Sequence, residues 1–249
     1  MIKVSVVGAK GRMGSHVVDA VNAAADTELA LALDAGDDPA AITPRKHRRR
    51  GGIHRAERVA GQCARPRQAG RRRGGRHHRL DRREARPVRA TLAAAPREGQ
   101  SVFIAPNFAI SAVLADHFAK VAAPYFESAE VIELHHPTKV DAPSGTAFHT
   151  AQGIAEARKA AGLGPFRTPP KPTAVPEAVV DGIHVHAVRL RGLNAHEEVL
   201  FGNSGEQLTI RADSFDRISF MPGVLLAVRK VSTGTYPGLT VGLDHFLDL

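Results

Sequence analysis

The 249-residue chain contains no tryptophan, two tyrosines and a single cysteine, Cys63. One cysteine excludes an internal disulfide framework and fits a reducing compartment. No apolar run approaches the length of about 18 residues that spans a bilayer, and no secretory leader pattern is visible. No membrane partner is therefore expected, and the cytoplasm is the expected location. Aromatic and aliphatic side chains are scarcest where charge is densest. From Pro44 to Arg97 there is no Phe, Tyr or Trp and only five Val, Ile or Leu, against nineteen Lys or Arg and three acids. That stretch carries +16 of a net +9, which leaves the other 195 residues at −7. Such a composition buries too little apolar surface to offset its ordering entropy. An arginine run also raises nucleic-acid binding as an alternative. Single-strand recognition usually adds aromatic stacking to phosphate contacts, and no aromatic is present there, so no nucleic-acid partner is expected.

Ordered patterns flank that stretch. Ile2–Val7 is a short apolar run suited to a buried parallel strand. It enters the turn Gly8-Ala9-Lys10-Gly11-Arg12-Met13-Gly14, and an amphipathic segment follows from Ser15 to Ala25. Strand, glycine-rich turn and helix form the context of a dinucleotide fingerprint. Gly8 and Gly11 would let backbone approach a pyrophosphate, while Gly14 would allow close packing of helix on strand. A second strand over Glu28–Leu33 delivers Asp34 to the place where an acid meets the adenosine ribose hydroxyls. Asp34 favours NADH, whereas Lys10 and Arg12 can accommodate the extra phosphate of NADPH.

The segment from Glu130 to Ala147 carries the chemistry. Ala129–Leu134 mixes apolar residues and acids in a pattern that suits a half-buried strand. Pro137 and Pro143 forbid a helix between His135 and Ser144, so His135, His136 and Lys139 are expected on a loop. Ser144 is placed to cap a helix over Ala147–Ala161. Two imidazoles, one ammonium and a helix N-terminus make a site for an acidic small molecule that receives a proton. Glu133 and Asp141 are read either as orienting groups for this loop or as a solvated strand face. No metal is expected, because adjacent histidines with a single cysteine in the chain supply no second ligand pair at recognised spacing.

Across Glu133–Ala147 the chain resembles the dihydrodipicolinate reductases, whose pattern E-x-H-H-x-x-K-x-D-x-P-S-G-T-A it reproduces. The resemblance extends over about the first 40 residues and nearly all of Ser101–Leu249. It implies NADH- or NADPH-dependent reduction of a cyclic imine dicarboxylate by a homotetramer of the lysine and diaminopimelate pathway. His135 becomes the candidate proton donor and Lys139 its assistant. His136, Ser144, Gly145 and Thr146 become candidate contacts to the dicarboxylate substrate. The family's A-P-N-F stands here as Ala105-Pro106-Asn107-Phe108 and implies a cofactor contact near the nicotinamide. With Gly8, Ala9, Lys10, Gly11, Arg12, Met13, Gly14 and Asp34, it completes the candidate cofactor residues.

The arginine-rich stretch stands where such a fold needs further core strands. Arg71–Arg83 can be encoded so that the DNA, read one base later, gives Val-Val-Val-Val-Val-Gly-Thr-Thr-Gly-Trp-Thr-Ala. That is a buried strand followed by the family's G-T-T-G loop. His47–Arg58 treated likewise yields Thr-Val-Val-Val-Val-Glu-Phe-Thr-Ala-Pro-Asn, again a family strand and turn. Residues 44–88 therefore read as a translated frameshift. If the stretch is genuine, the chain is a reductase homologue with impaired catalysis.

The expected fold is α/β. A Rossmann-like nucleotide-binding domain spans 1–127 and 217–249, and an α+β substrate and tetramerisation domain with a mixed sheet spans 128–216. A helix is expected over Ala112–Tyr125, and an exposed loop over Leu163–Pro176. Strands are expected at His184–Leu190, Glu197–Phe201 and Gln207–Ala212, a helix from Ser219 to Val231, and a last strand at Leu239–Leu243. His184, His186 and His196 are read as structural.

Overall fold

A computed structural model describes residues 1–34, 36–37, 89–90, 92–94, 101–166 and 178–249. The proposed frameshift at 44–88 lies outside the described residues, as does most of the loop expected at 163–176. The chain divides into two compact units, Met1–Phe108 with Phe220–Asp248, and Ala109–Ser219.

In the first unit β1 (Ile2–Val7) pairs in parallel with β2 (Thr27–Leu33), and α1 (Gly14–Ala23) connects them. Val4 and Val6 alternate inward along β1, and Val17 and Val21 meet them from one face of α1. A second parallel pair joins β3 (Ser101–Ile104) to β9 (Gly238–Val241). The amphipathic helix α4 (Met221–Ser232) supplies Met221, Val224 and Val228 to the same core. Pro222 sits in its first turn, where the missing N–H costs nothing. The C-terminal segment thus packs with β1 and β3, as its apolar spacing foreshadows.

The second unit is built on the mixed five-stranded sheet β5-β6-β4-β7-β8. Its strands are β4 (Ser128–His135), β5 (Ala178–Val180), β6 (Ile183–Arg189), β7 (Ala195–Asn203) and β8 (Glu206–Ser214). β4 runs parallel to β6 and antiparallel to β7. Two helices cover one face, α2 (Ile110–Ala122) and α3 (Gly145–Ala160). Ala119 and Ala122 of α2, Ala147, Ala151 and Ile154 of α3, and Val131, Val185, Val199 and Phe201 of the sheet form one core. Alanines at these helix positions let α2 and α3 lie close to the strands. Because α2 buries its alanine stripe here, the helix belongs to this unit, and the division falls at Phe108/Ala109 instead of near residue 127.

The loop expectation for the histidines needs adjustment: β4 continues through His135, paired with Arg189 of β6 and Ala195 of β7, and only His136 begins the loop. Strand β5 was not anticipated, being three residues long beside a Pro-rich stretch. Ile154 is fully buried at the centre of the second core. Ile154→Ala should lower stability by about 2–5 kcal/mol through lost burial and the cavity left behind. A reduced urea midpoint for the transition that reports on the second unit is the expected readout.

Candidate active site

The glycine turn of the first unit is built around Gly8. Its φ of +80° is a left-handed conformation that favours glycine, and its N–H and that of Ala9 both donate to the Leu33 carbonyl, at 2.7 and 3.0 Å. These bonds tie the turn to the end of β2. Gly14 lies so close beneath that an added Cβ would stand 1.9 Å from the Gly8 carbonyl oxygen. The first turn of α1 therefore begins with bare backbone, no side-chain cap and no acidic residue. Such an arrangement suits an anion such as a pyrophosphate. Asp34, at the end of β2, accepts from the Lys10 N–H at 2.5 Å, so Gly8, Ala9, Lys10, Gly11 and Asp34 form one locality with Arg12, Met13 and Gly14 following. The backbone geometry fits a dinucleotide.

Ala105–Phe108 follows β3 in the same unit. Phe108 packs edge-on to Phe103 at 5.9 Å and joins the core around Met221, which fixes the turn that carries Ala105, Pro106 and Asn107.

In the second unit the histidine loop is anchored by a carboxylate. Glu133 lies in phase with Ala129 and Val131 along β4, so it points inward and is completely buried. Its Oε2 pairs with His135 Nδ1 and accepts from Arg189 Nη1 at 2.8 Å, while its Oε1 accepts from Arg189 Nη2 at 2.7 Å and from the Ser144 N–H at 3.1 Å. Arg189 Nη2 also donates to the Asp141 carbonyl at 2.6 Å. One side chain thus aligns the end of β4, the end of β6, the loop and the start of α3. Burial pushes the Glu133 carboxyl up, but the hydrogen bonds from His135 and Arg189 outweigh it and hold the group below its ordinary value.

The predicted residues fall around this hub. His135 presents its other ring nitrogen away from Glu133, the arrangement that fixes a histidine's orientation and tautomer. His136 Nδ1 meets the Thr138 hydroxyl at 2.8 Å, and its carbonyl accepts from the Lys139 N–H at 3.1 Å. Lys139 Nζ lies 2.9 Å from Asp141 Oδ1. Burial raises the Asp141 carboxyl, and the Lys139 ammonium more than offsets it, leaving the group lowered. Ser144 caps α3 by accepting from the Ala147 N–H at 3.1 Å. With its oxygen on Ala147 and its N–H on Glu133, buried Ser144 acts in the scaffold, and Gly145 and Thr146 open the helix.

Sequence reasoning left Glu133 between two readings and missed Arg189 altogether. The signal for Glu133 was its parity with Ala129 and Val131: an acid in phase with buried positions needs a partner. Arg189 is 56 residues away, and only the β4–β6 register brings it opposite His135. Two of the three histidines read as structural find carboxylates: His186 lies 2.8 Å from Glu130, and His196 lies 2.6 Å from Asp213. Among the described residues, no group of three His, Cys, Asp or Glu side chains is arranged to hold a metal ion, and no helix is long and apolar enough to cross a membrane.

A Rossmann-type turn and a separate unit bearing a histidine–lysine loop define a class, the nicotinamide-dependent reductases with a dedicated substrate domain. Comparison with known proteins makes the assignment specific. Residues 2–49 match the family model for the N-terminus of dihydrodipicolinate reductase, and residues 109–247 match the model for its C-terminus. A 4-hydroxy-tetrahydrodipicolinate reductase of Bifidobacterium animalis subsp. lactis is 65% identical over 274 aligned positions that cover all of both chains. The enzyme of that name from Streptomyces coelicolor is 50% identical, covering 100% of this chain and 98% of its own. A dipicolinate-bound dihydrodipicolinate reductase from Paenisporosarcina sp. TG-14 superposes with a TM-score of 0.65 at 28% identity, covering 98% of this chain and 99% of its own. The chain belongs to the dihydrodipicolinate reductase family, whose members are NAD(P)H-dependent oxidoreductases.

Two consequences can be measured. In a chain with the reading frame at 44–88 restored, Gly14→Ala should strongly weaken NADH and NADPH binding, read by cofactor fluorescence, because the new methyl would stand 1.9 Å from the Gly8 carbonyl oxygen. Glu133→Gln should cost about 3–5 kcal/mol at neutral pH by leaving Arg189 without its carboxylate. The pH dependence has a defined sign. A lowered carboxyl stabilises the fold above its unfolded pKa and loses that contribution as pH falls through the folded value. Urea midpoints taken from neutral to acid pH should therefore fall for the wild type and change less for Glu133→Gln.

Proposed function

We propose that this chain reduces dihydrodipicolinate, or its hydrated form 4-hydroxy-tetrahydrodipicolinate with the hydroxyl leaving as water, to tetrahydrodipicolinate with NADH or NADPH, as a step in lysine and diaminopimelate synthesis. The observation that carries the reading is the Glu133-anchored loop, which sets His135, Lys139 and the start of α3 in one place. When bound at the glycine turn, the nicotinamide cofactor supplies the hydride. The residues of the chain then have separable tasks. His135 donates the matching proton to the ring, since an imidazole can transfer a proton near neutral pH. Glu133 on Nδ1 orients the ring and presents the opposite nitrogen outward. Lys139 holds a carboxylate, offsets negative charge that develops during reduction and assists the proton transfer. The N–H groups of Gly145 and Thr146, with the Thr146 hydroxyl, grip one substrate carboxylate at the N-terminus of α3, and His136 contacts the same ligand. Ser144 supports that grip as the helix cap.

The sheet face away from α2 and α3 carries Ile132, Leu134 and Leu200 among charged neighbours, and this is the face we assign to a homotetramer interface. The single cysteine supports a cytoplasmic enzyme, and among the described residues no helix is long and apolar enough to cross a membrane. We keep the shifted reading frame at 44–88 as part of this proposal. The interval between the two family matches contains most of that stretch, and a cofactor domain without its G-T-T-G loop would bind nicotinamide poorly. Resequencing the DNA for Ile42–Thr91 tests it: compensating insertions or deletions restore a working reductase, whereas an unchanged single frame removes the frameshift and predicts little turnover.

In the chain with its frame restored, His135→Gln and Lys139→Ala should each lower kcat by about 10²–10⁴. Cofactor affinity should stay unchanged in both. Near-normal turnover in either variant would take that residue out of the mechanism.

A further inference from the structure

A second buried carboxyl lies beside the hub, and the mechanism above gives it no task. Glu197 of β7 stands directly opposite Glu133 of β4 in the antiparallel register, so both side chains enter the same face of the sheet. Glu197 is only 7% exposed. Its Oε1 accepts from the Thr150 hydroxyl at 2.7 Å, and its Oε2 has no hydrogen-bond partner. Thr150 sits four residues after Thr146, hence one turn along the same face of α3. Thr150, to which Glu197 is bonded, therefore lies about one helical turn, roughly 5 Å, along α3 from the backbone grip for the substrate carboxylate.

Among the described residues around Glu197, the cations are engaged by other carboxylates. β4 contributes Glu133, whose charge is already shared by Arg189 and His135. On β8 the facing residue is the uncharged Ala212. α3 contributes the Thr150 hydroxyl. α2 contributes Asp116, whose Oδ1 is likewise buried without a partner, and Lys120 is engaged by Asp116 Oδ2 at 2.5 Å. One unpaired oxygen, a second carboxylate beside it and neighbouring cations committed elsewhere favour a proton on Glu197. Burial, followed by repulsion from Asp116 and Glu133, pushes the Glu197 carboxyl up to about 7, although the Thr150 hydroxyl pulls the other way.

We propose that Glu197 is a positioning residue of the substrate site, kept as a neutral carboxylic acid beneath the α3 N-terminus, and that loss of its proton weakens binding of the dicarboxylate. The proposal deepens the reductase reading and rests on its assignment of the α3 N-terminus to a substrate carboxylate. No bond other than O–H is made or broken: the proton leaves for solvent as pH rises and returns when a dianion binds. The linkage sign follows. Dicarboxylate affinity is highest with Glu197 protonated, falls as pH rises through neutrality, and binding above neutrality takes up a proton.

Calorimetry with dipicolinate as probe, on the full chain, tests this. The wild type should lose about tenfold in affinity between slightly acid and slightly alkaline pH, the equivalent of one unit of coupling. Titrations in buffers of different ionisation enthalpy should show proton uptake on the alkaline side. Glu197→Gln, which keeps an acceptor for Thr150 and cannot ionise, should bind dipicolinate without that fall and without that uptake. Thr150→Val removes the one hydrogen bond that favours the ionised form, so the fall should move to higher pH. A purely structural role would weaken both variants equally at every pH. Infrared difference spectra of the ligand-free chain provide a readout separate from binding. A protonated-carboxyl band present in mildly acid solution, lost towards alkaline pH and missing in Glu197→Gln, supports the proposal. The same pH-dependent affinity and proton uptake in Glu197→Gln as in the wild type would overturn it, as would absence of the infrared band. If the wild type binds no dipicolinate but shows the band, it is the substrate-site reading that fails, along with the linkage built on it.

Discussion

The histidine–lysine site of the second unit depends on one buried ion pair. Glu133 and Arg189 form a two-armed salt bridge beneath the ends of β4 and β6, and the remaining capacity of the carboxylate is spent on His135 and on the Ser144 N–H. Burying an ionised carboxylate is costly unless it is paired and fully hydrogen-bonded. Here the compensation also works as alignment. It orients the imidazole, fixes the first turn of α3, and through Arg189 holds the Asp141 carbonyl, so Lys139 comes to rest beside Asp141. A hydrophobic pair at 133 and 189 would fill the space and position none of these groups.

The sequence made some of this legible and hid the rest for identifiable reasons. Local chemistry was readable. Ser144 caps α3 as its spacing from Ala147 indicates, Ile2–Val7 forms its strand, and the turn from Gly8 to Gly14 shows the close approach that the glycines foreshadow. Element ends were less readable, because pairing on both edges of β4 carries the strand through His135 when the prolines alone place that residue in a loop. Non-local partners could not be read. Nothing in the residues near Arg189 announces Glu133, and nothing near Glu197 announces Thr150, because each meeting is set by strand register and helix docking. The domain boundary moved for a similar reason: α2 has an alanine stripe whose partner face is the second sheet, and spacing alone does not say which sheet receives it.

The two units offer different chemistry. The first offers bare backbone and a helix terminus, a surface suited to a phosphate-bearing cofactor. The second concentrates acid–base groups where an anionic substrate can be held by a helix N-terminus and an ammonium. Glu133 and Glu197 extend that division inside the second unit. They are opposed across one strand pair, yet their environments separate them: paired with an arginine and an imidazole, one stays ionised, and with only a hydroxyl donor the other tends to keep its proton.

The central claim is that Glu133 acts through His135. A double-mutant cycle on kcat, with Glu133→Gln, His135→Gln and the double variant in the frame-restored enzyme, tests it most directly. The account predicts strong non-additivity, with the double variant little slower than His135→Gln alone. Losses that simply multiply would mean that the two side chains work independently and would contradict it.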